Sequence, residues 1–233
     1  LATAALALAA LAVAGPASPL QAPEEVSAAY NVYLNGTLVA VMNEHFEAGG
    51  GAYRIVSESR AAGALALFHR QRPRFVSEGT LADYGLRPRR FEGQRDESDA
   101  RRVRAEFDWK AESLALVHDG RSETRLLPPR TQDRLSLLYQ FMFLALDRSP
   151  IEIAMTDGRK LERYHYSVTP GVEIETPLGR LSTLHLVKLR RPDESVTEIW
   201  LSPAHRHLPV RILIRESDGS RYEQVATRLE VRP

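Results

Sequence analysis

A chain of 233 residues, 43% hydrophobic and 26% charged, is long enough to bury one sizeable core without covalent staples. It has no cysteine, which excludes disulfides, thiolate catalysis, iron–sulfur clusters and cysteine-ligated zinc. The formal charge is +1, almost all of the positive charge is arginine, and the signs are interspersed apart from local clusters such as Arg101-Arg102-Val103-Arg104; the net basic field of a nucleic-acid binder is missing.

The chain opens with an uncharged apolar run, Leu1 to Ala14, broken by Gly15-Pro16. Ala12-Val13-Ala14 and Leu20-Gln21-Ala22 both resemble small-residue cleavage sites. Residues 1–22 are therefore expected to be the apolar core and tail of a secretory signal peptide with a truncated start. The run is shorter than the roughly 20 residues that a membrane-spanning helix needs. No cysteine follows it, which argues against a bacterial lipoprotein anchor. Residues 23–233 then form the expected single exported domain, periplasmic in a Gram-negative bacterium and peripheral to the membrane at most.

After residue 22 short alternating segments separated by turn residues predict an antiparallel β protein. Val26 to Ala48 contains Asn35-Gly36, a strong hairpin signal, and Gly49-Gly50-Gly51 marks the next hairpin tip before a strand at Ala52–Ser59. Further strands are expected near Phe75–Leu81, Arg90–Gln94, Val103–Trp109 and Ser113–Val117. Thr131 to Arg148 breaks the rhythm, with Leu135, Leu138, Tyr139, Met142 and Leu146 at helical spacing. Leu137, Phe141 and Leu144 make its other face apolar too, so this helix must be buried on most sides, and Thr131 or Asp133 can cap its start. Strands resume at Leu184–Leu189, Thr197–Leu201, Val210–Ile214 and Val225–Val231. The expected fold is mainly β: a single curved antiparallel sheet, half-barrel or open barrel, with one principal buried helix.

Several strings resemble an uncharacterised family of exported bacterial proteins, domain-of-unknown-function family 3108. They are Ser77-Glu78-Gly79, Gly85-Leu86-Arg87-Pro88, Phe107-Asp108-Trp109, Gln132-Asp133-Arg134-Leu135-Ser136, Thr176-Pro177-Leu178-Gly179, and Ile199-Trp200-Leu201-Ser202-Pro203 leading into Leu208-Pro209-Val210-Arg211. The resemblance covers most of the chain after residue 22. It implies no catalytic residue. It does imply a fold similar to the curved sheet with a helical lid of LolA/LolB-type lipoprotein carriers, and a likeness of fold is weak evidence of function.

Few residues suggest chemistry. His205 and His207 have a spacing that could ligate metal on a strand, but flanking Pro203 and Pro209 place them in a turn. On a strand, Tyr164-His165-Tyr166 would send its histidine to the face opposite the tyrosines. Asp96, Glu97 and Asp99 lie among Arg95, Arg101 and Arg102 and read as a solvated loop. Asp108 is expected to pair with Arg102 or Arg104, or else to anchor a ligand from the concave face. Neither a nucleophile elbow nor a zinc-protease helix motif is present in the sequence.

The expected function is a periplasmic binding or carrier module for an apolar or amphiphilic ligand, a lipid or a lipoprotein acyl chain, without catalysis, metal or cofactor. Its expected lining is Leu138, Phe141 and Met142 on the helix, with Trp109 and Trp200 opposite. Two rivals stand beside it. One is an envelope interaction or scaffold domain whose apolar residues are all core. The other is an envelope hydrolase that brings His165 or His205 together with carboxylates.

Overall fold

A computed structural model describes residues 22–67, 72–94, 102–189 and 194–233. The expected signal peptide, apart from Ala22, lies outside the described residues, as do Asp96, Glu97, Asp99 and Arg101.

The first strands follow from their sequence alternation. In β1 (Glu25–Leu34), Val26, Ala28 and Tyr30 are buried on one face. Asn35 and Gly36, both at positive φ, turn the chain within two residues into β2 (Thr37–Gly49). This is the tight hairpin that suits the right-handed twist of strands. Gly50 and Gly51 do the same on the way to β3 (Ala52–Ala61). The meander continues through β4 (Arg74–Ala82), β5 (Gly85–Gln94), β6 (Val103–Asp108), β7 (Ser113–His118) and β8 (Arg121–Leu126).

A second meander is formed by β10 (Ile151–Thr156), β11 (Leu161–Thr176), β12 (Gly179–Leu189), β13 (Val196–Ser202), β14 (Leu208–Arg215) and β15 (Arg221–Arg232). The two-residue β9 (Gln132–Asp133) adds to its far edge by a parallel pairing with β10. The meanders join where β1 pairs with β15. Among the described residues the result is one open sheet of fifteen strands, with β8 and β9 at its edges. It is mainly β, antiparallel but for β9, and not closed into a barrel.

The helix expected over Thr131–Arg148 is much shorter. Only Ser136–Gln140 is α-helical (α1), followed by a 3-10 turn over Phe141–Phe143 and extended backbone at Leu144. Its burial on opposite faces agrees with the expectation. Leu135, Tyr139 and Met142 pack into a cluster with Phe46, Ile55, Phe91 and Leu114 of the first meander. Leu137 and Phe141 pack against Leu186, Ile199 and Leu201 of the second. Leu138 touches both clusters. The short helical segment therefore fills the space between the two halves of the curved sheet. A third cluster joins Tyr30 and Ala226 to Trp200, Val210 and Leu213.

Candidate ligand groove

The strand β5 pairs with β4 over nearly its whole length but with β6 only from Arg90 to Gly93. Before Arg90 the neighbouring strands β5 and β6 part. A cavity of about 1190 Å³ opens at this fork, lined by Tyr53, Gly79, Arg87, Arg89, Phe107, Trp109 and Lys110 among others. The parting leaves backbone groups of β5 without a strand partner, and side chains replace the missing ladder. Trp109 Nε1 donates to Pro88 O at 2.6 Å across the fork. Gln140 Oε1 accepts from Leu86 N at 2.7 Å, its Nε2 donates to Tyr84 O at 2.7 Å, and Gln132 Nε2 donates to Leu86 O at 2.9 Å. Pro88, with no N–H to satisfy, suits a strand that has lost a neighbour.

Four of the family-like strings meet around this fork. Asp133 fixes the turn that leads into the helix, whose N-cap position is Leu135 and has no side-chain cap of its own. The Asp133 Oδ1 accepts from Leu135 N and Ser136 N, each at 2.9 Å, while Ser136 Oγ accepts from Asp133 N at 2.9 Å. The other carboxylate oxygen accepts from Ser77 Oγ at 2.6 Å, which fastens the turn to β4. Next to Ser77, Gly79 sits at a bulge in the β4–β5 pairing, and a Cβ there would lie 2.2 Å from Arg87 O. No residue but glycine fits that approach. Phe107 and Trp109 stack with ring centroids 6.0 Å apart. Between them Asp108 turns outward and its Oδ1 accepts from Lys110 N and Ala111 N at 3.0 and 2.9 Å, closing the turn after β6. The ion pairs on this part of the sheet belong instead to Glu92, which Arg90 and Arg104 flank at 2.5 and 2.8 Å.

The five residues expected to line one cavity do not line one, although Trp109, Leu138 and Met142 share a core cluster. Trp109 borders the groove. Phe141 and Met142 are 0% and 4% exposed and fill the core, and Leu138 is wedged between two core clusters. Trp200 points to the sheet face opposite Ile199 and Leu201. There its ring stacks on His185 at 4.4 Å, with the Arg211 guanidinium 4.9 Å from the ring centroid.

The sequence reading missed Tyr53, Arg87, Arg89 and Lys110 as groove residues, and Gln132 and Gln140 as its support. Two signals were available: the arginine density around Pro88, and buried-type spacing of Gln132, Asp133, Ser136 and Gln140 inside an apolar stretch.

The remaining chemical candidates are dispersed. His205 Nδ1 lies 2.8 Å from Ser202 Oγ, a buried hydroxyl inside the turn that leads to β14. His165 projects opposite Tyr164 and Tyr166, with Glu152 3.8 Å away. No cluster of three metal-ligating side chains occurs among the described residues.

Two carboxylates lie deep beneath the groove. Burial pushes Asp133 up from its ordinary value, against the lowering effect of Ser77 and the two backbone amides of its turn. Burial pushes Glu44 up as well, opposed by hydrogen bonds from Ser57 and Tyr139 and by the charge of Arg134. Tyr139 donates to Glu44 Oε2 at 3.2 Å, and its ring stacks on Phe46, which in turn stacks on Tyr53. This column ties the helix to the floor of the groove.

Residues 29–226 match the model of a family described as "Protein of unknown function (DUF3108)". No curated protein matches the chain. Among solved structures, the chain is similar to a beta-barrel-like protein of domain of unknown function DUF1849 from Brucella abortus. The two are 9% identical, with a TM-score of 0.56 over 91% of this chain and 99% of the other. A "putative lipoprotein" from Parabacteroides distasonis overlaps more loosely, at 11% identity and a TM-score of 0.37 over 91% of this chain and 97% of that one.

Proposed function

The chain belongs to the DUF3108 family, and from the groove at the β5–β6 fork we propose that it is a binding or carrier module for an amphiphilic ligand. The observation that carries this reading is the lining of the groove. Trp109 offers aromatic surface at its floor, backed by the buried rings of Tyr53 and Phe107, and Arg87, Arg89 and Lys110 offer charge at its rim. A cavity of about 1190 Å³ is large enough for a lipid-sized molecule, since small-molecule sites run to about 1,000 Å³. A ligand with an apolar body and a polar head matches both surfaces. The apolar run at Leu1–Ala14 supports action outside the cytoplasm. The role is binding rather than catalysis.

The filled interior favours a second reading. Phe141 and Met142 leave no space between helix and sheet, which suits an envelope scaffold that docks another protein. Native mass spectrometry of protein purified gently from a bacterial envelope separates the two. The carrier reading expects a reproducible added mass, released by organic solvent and depleted in a folded Trp109→Ala variant. A bare mass that stays bare after exposure to candidate lipids supports the scaffold.

A further inference from the structure

The charges around the groove do not cancel. Arg54 pairs with Glu78, Arg90 with Glu92, and Glu106 with Arg104. Asp108 is held by two backbone amides of its own turn, and its negative charge offsets part of the excess. Arg87, Arg89 and Lys110 remain, and among the described residues none of them has a carboxylate partner. The Arg87 guanidinium lies over the Trp109 ring, 5.2 Å from its centroid, and the indole is itself pinned to Pro88 O. An arginine fixed in this way by an aromatic face keeps its N–H edge for a second partner. A planar fork of donors matches two oxygens of a phosphate or carboxylate. Lys110 lies in the turn that Asp108 fixes, so its backbone is held at the same rim.

We propose that Arg87, Arg89 and Lys110 form the head-group subsite of the groove and select an anionic phospholipid, its phosphate held at the rim and its acyl chains along Trp109. This inference rests on the amphiphile reading above and adds the chemistry of the head. Charge complementarity decides between phospholipid classes. A zwitterionic head brings its own cation to a rim that already holds three, whereas an anionic head leaves a net negative charge for them to meet.

Isothermal titration with dihexanoyl phosphatidylglycerol below its micelle concentration tests it, against dihexanoyl phosphatidylcholine and inorganic phosphate. Hydrogen bonds to charged groups are strong enough that phosphatidylglycerol should bind about tenfold more tightly or better. Added salt should narrow the difference. The substitutions Arg89→Ala and Lys110→Ala, both at exposed side chains, should weaken phosphatidylglycerol much more than phosphatidylcholine, whose choline cation already offsets its phosphate, and so remove the preference. Equal binding of both lipids, insensitive to these substitutions, overturns the head-group inference but leaves the amphiphile reading in place. Binding of inorganic phosphate without either lipid overturns the amphiphile reading and makes a free anion the ligand. Binding of none of the three overturns both.

Discussion

Asp133 and Glu44 are both buried carboxyl groups on the helix–sheet contact, yet they do different work. Asp133 accepts two backbone amides and a serine hydroxyl, so its charge is offset where the helix begins. Glu44 has the weaker set, a 3.2 Å bond from Tyr139 and a contact with Ser57, and burial lifts its affinity for a proton. A carboxyl raised in the folded state makes stability fall as pH rises. Between the unfolded value of about 4.5 and the higher folded one, unfolding releases a proton, and the native state gains nothing from it above that window. Glu44→Gln keeps the shape and cannot titrate. We expect the unfolding free energy of wild type relative to Glu44→Gln to decline from pH 4 upward and to level off once Glu44 is ionised in both states. Urea titrations at a series of pH values measure this. A difference that stays flat would mean that Glu44 binds its proton equally in the folded and unfolded chain.

At the scale of elements, the strands with clean alternation were legible and the helix was legible only in part. The Asn35-Gly36 turn specifies one backbone, because positive φ has few alternatives. The alternation of Val210, Ile212 and Ile214 marks a strand but hides the bulge opposite Trp200 and Leu201, which sends Val210 to the cluster of Trp200 and Leu213 while Ile212 packs with Ile199. The stretch Thr131–Arg148 is apolar on every side. Such a stretch satisfies any path enclosed on every side, so the period could not reveal that the chain is extended at Gln132–Asp133 and again at Leu144. The edge strand β8 was invisible for the opposite reason: its RSETRL sequence is exposed at nearly every position and carries no alternation. The groove was hidden because it arises from two strands that part, which no local pattern encodes.

Gly85 shows how closely the helical segment is fitted to β5. Its φ is +110, and a Cβ there would lie 2.6 Å from Gln140 Oε1 and 2.7 Å from Phe143 Cβ. Gly171 also has positive φ, at +72, but nothing lies within 4 Å of its Cβ position. Gly171→Ala thus carries only backbone strain, about 1 kcal/mol. Gly85→Ala adds a collision inside a packed contact and should cost about 2 kcal/mol or more beyond that. Denaturant midpoints of the two variants check the difference, and equal losses would show that the α1–β5 contact yields without cost.

For the molecule as a whole, the decisive pairing is the one that joins the most distant parts of the chain. Glu25 pairs with Arg232 and Leu34 with Tyr222, while Arg221 N donates to Asn35 Oδ1 at 2.9 Å. Each meander can build from neighbouring hairpins, but the seam between them must close a loop of nearly the full sequence. Loop closure is met before the contacts repay it, so this topology should fold slowly. The antiparallel seam also brings Glu25 beside Arg232, so a short glycine-rich linker from residue 233 to residue 24 would make β15 and β1 a hairpin. New termini can be opened between Gly50 and Gly51, at a turn whose residues are exposed. That permutant keeps the β1–β15 ladder, now as a hairpin, and all three core clusters, but the β2–β3 ladder becomes the pairing that closes a loop of nearly the full sequence. Because the closure is moved and not removed, stopped-flow refolding should show a folding arm close to that of wild type if either seam can close first, with the unfolding arm little changed. A faster folding arm would place β1–β15 pairing in the rate-limiting step, and a slower one would place β2–β3 pairing there.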